Sequence, residues 1–248
     1  MKLSGTSPDR FDVNTVFGAW PKRRLDASSS ALLARMDGAN ISTALACSIR
    51  GWLYDFEEGN DETLRVCEAS GGRLVPVATI CPTRYFGMIE EVDRIVSMGF
   101  RVVRFFPTEQ EWQITQRPFG RLLAKLAETR LILMVPSTEG FTTIADTLGG
   151  MRNPVIIETI RAYPALADMI VSMQDSPNLH VEMHMIGSVD FVETLVREVG
   201  EQRLLFGSGA PLQSIAAATV PIERACISDA AKARIFAGNI RNLLEMNT

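Results

Sequence analysis

Short runs rich in branched and apolar residues alternate along the chain with longer stretches whose apolar positions recur at helical spacing. LVPVATI (74–80), RVVRFFP (101–107) and NPVIIET (153–159) are near-continuous apolar runs, as expected of strands buried on both faces in a parallel sheet. Between them, Ile89, Val92, Ile95 and Val96 line one face of a helix over 86–98, and Gly99 stops it. Extended along the chain, the pattern predicts strands at 11–15, 41–48, 74–80, 100–106, 131–135, 153–159, 179–185 and 203–206. The helices between them fall at 30–36, 61–69, 86–98, 119–128, 142–148, 164–173 and 189–199, with Pro164 in a first-turn position. Two more close the chain at 215–220 and 228–245, the last capped by Ser228 and Asp229 and broken near Gly238. Eight strands interleaved with helices predict an α/β fold, a single (β/α)8 TIM barrel over residues 1–248. A doubly wound sheet would want fewer strands and a glycine-rich first turn, and neither GxGxxG nor a P-loop follows the first strand.

Composition narrows the partners. The 248 residues are 46% hydrophobic and 22% charged, with a formal net charge of −4. That balance gives no electrostatic reason to expect nucleic acid or an anionic membrane. No apolar run approaches the ~20 residues of a membrane helix, and MKLSGTSPDRFD lacks a signal-peptide core, so a cytoplasmic protein is expected. Cys47, Cys67, Cys81 and Cys226 are scattered without a CxxC pair, which reads as reduced, mostly buried thiols. A small-molecule ligand and a homo-oligomer, an isologous dimer being the commonest, are the expected partners.

Few positions can carry chemistry. In NLHVEMHM, His180, Glu182 and His184 alternate with Leu179, Val181, Met183 and Met185, so period-two geometry turns the three polar side chains to one face. In a barrel that face is the interior. His184, nearest the carboxyl end, is the acid–base candidate, with Glu182 a layer deeper to fix its tautomer and raise its pKa; His180 reads as structural. Glu158 ends an otherwise apolar strand and is the third catalytic candidate, a surface turn being its alternative. Arg104 ends a strand and suits a substrate carboxylate, or else a salt bridge to Glu158 or Glu182. Trp20, Trp52 and Trp112 fall in loops after strands one, two and four and read as aromatic pocket walls, Trp20 as a substrate-binding residue. The acidic run DFEEGND (55–61) reads as a solvated loop.

RLLFGSGAP (203–211), followed by a helix and then ISDAAKARIFAGNIRNLL (227–244), resembles the carboxyl-terminal signature of the amidohydrolase-related family. That family, amidohydrolase 2, is a branch of metal-dependent (β/α)8 hydrolases and decarboxylases. Gly238, Asn239, Arg241, Leu243 and Leu244 match its ending, while LLARMDGANIS, RLVPVATICP and GFRVVRFFP resemble its second, third and fourth βα units. The resemblance runs from Phe11 to Leu244. It implies a metal site at the strand ends, yet the positions that would build it depart. Asn14 and Val16 stand where the family has His-x-His, and Gly209 stands at its strand-eight aspartate. Pro136-Ser137 and Glu158-Thr159 stand where histidines are expected. With two histidines in the chain, the resemblance implies a member without metal or other cofactor; a single divalent metal on His184, Glu182 and Glu158 is the alternative. Asn14 and Ser208 then become candidates for hydrogen-bonding a ligand.

The expected activity is a hydrolase, or a related acid–base lyase or decarboxylase, acting on a small carboxylate-bearing molecule. The alternative is a non-catalytic binding barrel that has lost the metal chemistry, and a scaffold subunit is a third reading. Convergence of His184, Arg104 and Glu158 within hydrogen-bonding reach of one cavity favours the first; their pairing off internally favours binding or scaffold.

Overall fold

Alternation along the strands sorts the apolar residues into two cores, one inside the barrel and one between barrel and helices. The computed structural model describes residues 9–22, 24–159, 165–185 and 190–246. Its first strand, β1 (Phe11–Ala19), carries a short antiparallel partner, β2 (Asp26–Ala27). The parallel strands that follow are β3 (Thr43–Ser48), β4 (Leu74–Thr79), β5 (Val102–Arg104) and β6 (Ile132–Pro136). The last three are β7 (Val155–Glu158), β8 (Leu179–Glu182) and β9 (Leu204–Leu205). They stand side by side in sequence order from β3 to β9, with β3 beside β1. The ring closes where Val13 N donates to Phe206 O (3.0 Å) and Gly209 N donates to Asn14 O (2.9 Å). On β6, Ile132 and Met134 join the inner core while Leu133 and Val135 face the outer one. The sequence-predicted (β/α)8 barrel is the observed fold.

The helices α1 (Ser29–Gly38), α2 (Ile49–Leu53), α3 (Phe56–Ala69), α4 (Met88–Ser97) and α5 (Arg117–Leu126) cover the first half of the ring. The other half is covered by α6 (Phe141–Leu148), α7 (Leu166–Asp175) and α8 (Phe191–Val199). The chain ends in α9 (Ile215–Arg224), α10 (Asp229–Ala233), a π-helical turn at Arg234–Gly238, and α11 (Asn239–Met246). Ile240, Leu243 and Leu244 of α11 enter the inner core beside Phe11 and Val102. Asn239 Nδ2 donates to Leu204 O at 2.8 Å and Glu201 O at 2.6 Å. The GNIRNLL signature is thus a structural device: its asparagine satisfies the backbone around β9 and its leucines plug the barrel. Among the described residues no helix is long and apolar enough to cross a membrane.

Three local expectations change. The acidic run at 55–61 is a helix start, because Asp55 accepts from Glu58 N (3.0 Å) as an N-cap and Glu57 and Glu58 sit in the first turn, where the helix dipole favours acids. The strand predicted at 179–185 stops at Glu182, so His184 lies in the turn beyond it. Trp112 packs at 4.9 Å from Phe119 and 6.2 Å from Phe105, so it belongs to the outer core and not to the aromatic stack beside Arg104. Pro164, and Val189 at the start of the seventh predicted helix, lie outside the described residues.

Candidate active site

Arg104, Glu158 and Glu182 are the last residues of β5, β7 and β8. All three therefore stand at the carboxyl ends of parallel strands, the end of a barrel where ligands are handled. Glu158 and Glu182 are register partners on adjacent strands, and two buried carboxylates side by side repel. Their neighbours offset that repulsion. Arg104 grips Glu158 with two donors, Nε to Oε1 at 2.8 Å and Nη2 to Oε2. His184 donates from Nδ1 to Glu182 Oε2 at 2.7 Å. Asn14 Nδ2 joins the two pairs, donating to Glu182 Oε2 at 3.1 Å and Glu158 Oε2 at 3.4 Å, and lying 3.4 Å from His184 Nδ1.

Asn14 reaches this point because β1 is irregular there. Its ladder with β3 shifts register between Asp12 and Thr15, the kind of irregularity that re-aims a side chain. Asp12, which sequence reasoning missed, braces the irregularity. Its Oδ1 accepts from Asn14 N (3.0 Å) and Ser208 N (2.9 Å), and its Oδ2 accepts from the Ser208 hydroxyl. That hydroxyl also accepts from Ala210 N at 3.1 Å. Ser208, fully buried, is thus committed to tying β1 to the loop after β9 rather than facing a ligand. The available signal was an acid two residues into an apolar strand, FDVN, where only a partnered carboxylate is tolerated. Gly207 and Gly209 shape the same loop. A Cβ on Gly207 would lie 2.3 Å from Glu182 Oε1, and Gly209 holds φ +68° with the His184 ring beside it, so both positions favour glycine.

Electrostatics follow from burial and pairing. Burial raises the Glu158 pKa, with Arg104 pulling it back. For His184 burial works against the charged ring, but the charge and hydrogen bond of Glu182, aided by Glu158, hold its pKa above the ordinary value. Burial pushes Asp12 up to about 7 against the hydrogen bonds from Ser208 and Asn14. His180 stands apart: its Nδ1 meets Asn178 O at 3.1 Å, and burial lowers its pKa to about 4. Cys47 is an inner-core thiol pushed up to about 12 by burial, which leaves it unreactive.

The Arg104, Glu158 and His184 side chains remain 9%, 7% and 9% exposed, whereas Glu182 is sealed. An aromatic stack rises from Arg104. Its guanidinium lies 4.9 Å over Phe106, Trp52 stacks on Phe106 at 4.5 Å, and half-buried Trp20 lies 5.1 Å from Trp52. Trp52 also walls a cavity of about 220 Å³ together with Cys81, Thr83, Arg84 and Gln110.

Fold and site together define a (β/α)8 barrel with a buried cluster of paired titratable side chains at the carboxyl ends of its strands. The sequence matches the amidohydrolase family over residues 55–246, and the chain belongs to that family. A 5-carboxyvanillate decarboxylase from Sphingomonas paucimobilis has a similar structure (TM-score 0.75, 14% identity, 96% of this chain and 99% of that one). A Pseudomonas putida protein provisionally assigned as a 2-pyrone-4,6-dicarboxylic acid hydrolase gives 0.73 at 14% identity, over 98% and 100%. An uncharacterized TIM-barrel protein from Bordetella bronchiseptica gives 0.73 at 17% identity, over 89% and 84%. At such identities the likeness is one of fold. No curated protein matches the sequence.

The resemblance placed a family metal site at the strand ends, and the described donors there are engaged with one another. Both Glu158 oxygens are held by Arg104. Glu182 Oε1, a buried atom without a hydrogen-bond partner, is packed against the Gly207 backbone, and Oε2 already accepts from Asn14 and His184. Among the described residues no group of three or more His, Cys, Asp or Glu is arranged to hold a metal ion.

Proposed function

We propose that this chain is a barrel enzyme that acts on a small carboxylate-bearing molecule through acid–base chemistry at His184, without a bound metal. The observation that supports this reading is the single Asn14 amide that lies within 3.4 Å of both the Arg104–Glu158 and the Glu182–His184 pair. With Nδ1 committed to Glu182, Nε2 is the ring nitrogen left to take and return a proton, and Glu182 stabilises the imidazolium that forms. The Nη1 amino group of Arg104 takes no part in the Glu158 contacts, so it can meet a substrate carboxylate, with Trp20 and Trp52 forming the wall above. The reaction is hydrolysis, or decarboxylation by protonation of the carbon that loses CO2.

The named neighbours, a decarboxylase of a carboxylated phenol and a provisionally assigned hydrolase of a pyrone dicarboxylate, give the first substrates to try. Turnover of such acids is expected for the native chain, and His184→Gln is expected to lower it by about 10²–10⁴-fold in protein that is still folded at the assay pH. Undiminished turnover in His184→Gln sinks the assignment. A binding barrel is the second reading, favoured by the internal pairing of Arg104 with Glu158 and of His184 with Glu182. It requires saturable binding of these acids with no product formed, in the native chain and in His184→Gln alike.

A further inference from the structure

Glu158, Glu182 and His184 face one another across a space that N–H groups fill. Glu158 Oε2, Glu182 Oε2 and His184 Nδ1 each lie within 3.4 Å of Asn14 Nδ2. Three heteroatoms thus crowd one position where a neutral amide donor stands: two carboxylate oxygens accept from it, and the third is the His184 nitrogen whose proton goes to Glu182. The charge at the site is met separately. Two buried carboxylates call for two positive charges; Arg104 supplies one at every accessible pH, and His184 supplies the second when protonated. Arg104 is held in place from two sides, by the Glu158 fork and by the Phe106–Trp52 stack. A divalent ion added to this arrangement would leave a buried surplus of positive charge.

We propose that the Arg104 guanidinium and the Asn14 amide together take the place that a divalent ion holds elsewhere in this fold family, so that the positive charge of the site is built into the chain. The inference rests on the metal-free reading above and gives that reading a physical cause. Asn14 fills the space between the three heteroatoms, and Arg104 neutralises the carboxylate that an ion would otherwise need.

The test is metal content, not activity. The native chain, Arg104→Lys, and the double variant Asn14→Ala with Arg104→Met are each dialysed against zinc or manganese, then against metal-free buffer, and analysed for bound ion. The double variant frees Glu158 and empties the central position. It is expected to retain about one ion per chain and to gain about 5 °C or more in thermal midpoint from micromolar zinc. The native chain and Arg104→Lys, which keeps the charge, are expected to retain none and gain nothing. If the double variant is unfolded alone, recovery on adding zinc supports the inference, and failure to recover while Arg104→Lys folds overturns it. A folded double variant that stays ion-free overturns the inference but leaves the metal-free reading standing. Stoichiometric ion in the native chain overturns both.

Discussion

His184 and Glu182 depend on one another for their charge. Burial alone would drive the imidazole towards its neutral form; the neighbouring carboxylate reverses that. Because its folded pKa stands above the ordinary value, protonated His184 stabilises the fold at low pH, and that contribution fades as pH rises through the raised pKa. Glu182→Gln removes the main opposition to burial and leaves only the more weakly acting Glu158, so the His184 pKa is expected to fall; an NMR titration of its ring protons reads this directly, and an unmoved pKa would refute the coupling. Asp12 behaves as an acid held back by burial. Its folded pKa of about 7 lies above the unfolded 3.8, so its contribution is full below about pH 4 and is lost as pH rises towards 7. Asp12→Asn removes this titration. Its denaturant stability is expected to be flatter than that of the native chain between pH 4 and 7, and parallel profiles would contradict the burial argument.

At the scale of elements, glycines set the approach of one segment to the next. Gly51 of α2 and Gly59 of α3 touch backbone to backbone, and a Cβ on Gly59 would lie 2.1 Å from the Gly51 backbone. No side chain can yield there, so Gly59→Ala is expected to destabilise by about 1–3 kcal/mol or more, seen as a lower urea midpoint with the slope retained. Gly207→Ala acts on the site instead. Its new methyl group would overlap the Glu182 carboxyl, forcing that side chain away from His184. The expected signature is a His184 pKa that shifts as it does in Glu182→Gln, together with a loss of stability; a stable variant with the native pKa would show that Glu182 can move aside freely.

The whole barrel is closed by contacts far apart in sequence. The Asp12–Ser208 bonds, 196 residues apart, seal β1 to the loop after β9, and Ile240, Leu243 and Leu244 of α11 fill the inner core. Arg101 Nη1 donates to Leu244 O at 3.1 Å and holds the end of that helix. Ile240 is 1% exposed, so Ile240→Ala is expected to cost about 2–5 kcal/mol. Hydrogen exchange should show β1 and β9 losing protection first. A loss confined to α11 would mean that the helix is an appendage and not the plug.

Local pattern determined much of this protein. Strands covered on both faces must be apolar throughout, so the eight runs, their order and the barrel are legible in the sequence. Arg104 and Glu158 stand out because they end otherwise apolar runs, and Glu182 and His184 because they alternate with apolar residues in NLHVEMHM. What the tertiary structure decided is how they pair. Arg104 meets Glu158 across 54 residues and Asn14 meets Glu182 across 168, and those distances depend on barrel curvature and on a register shift in β1 that no spacing encodes. Ser208 changed from a ligand contact to a brace because its partner, Asp12, lies on a strand that becomes its neighbour only when the ring closes. The acidic run at 55–61 could serve equally as a loop or a capped helix start; in the fold Asp55 caps the helix and Gly59 lets it pack against Gly51.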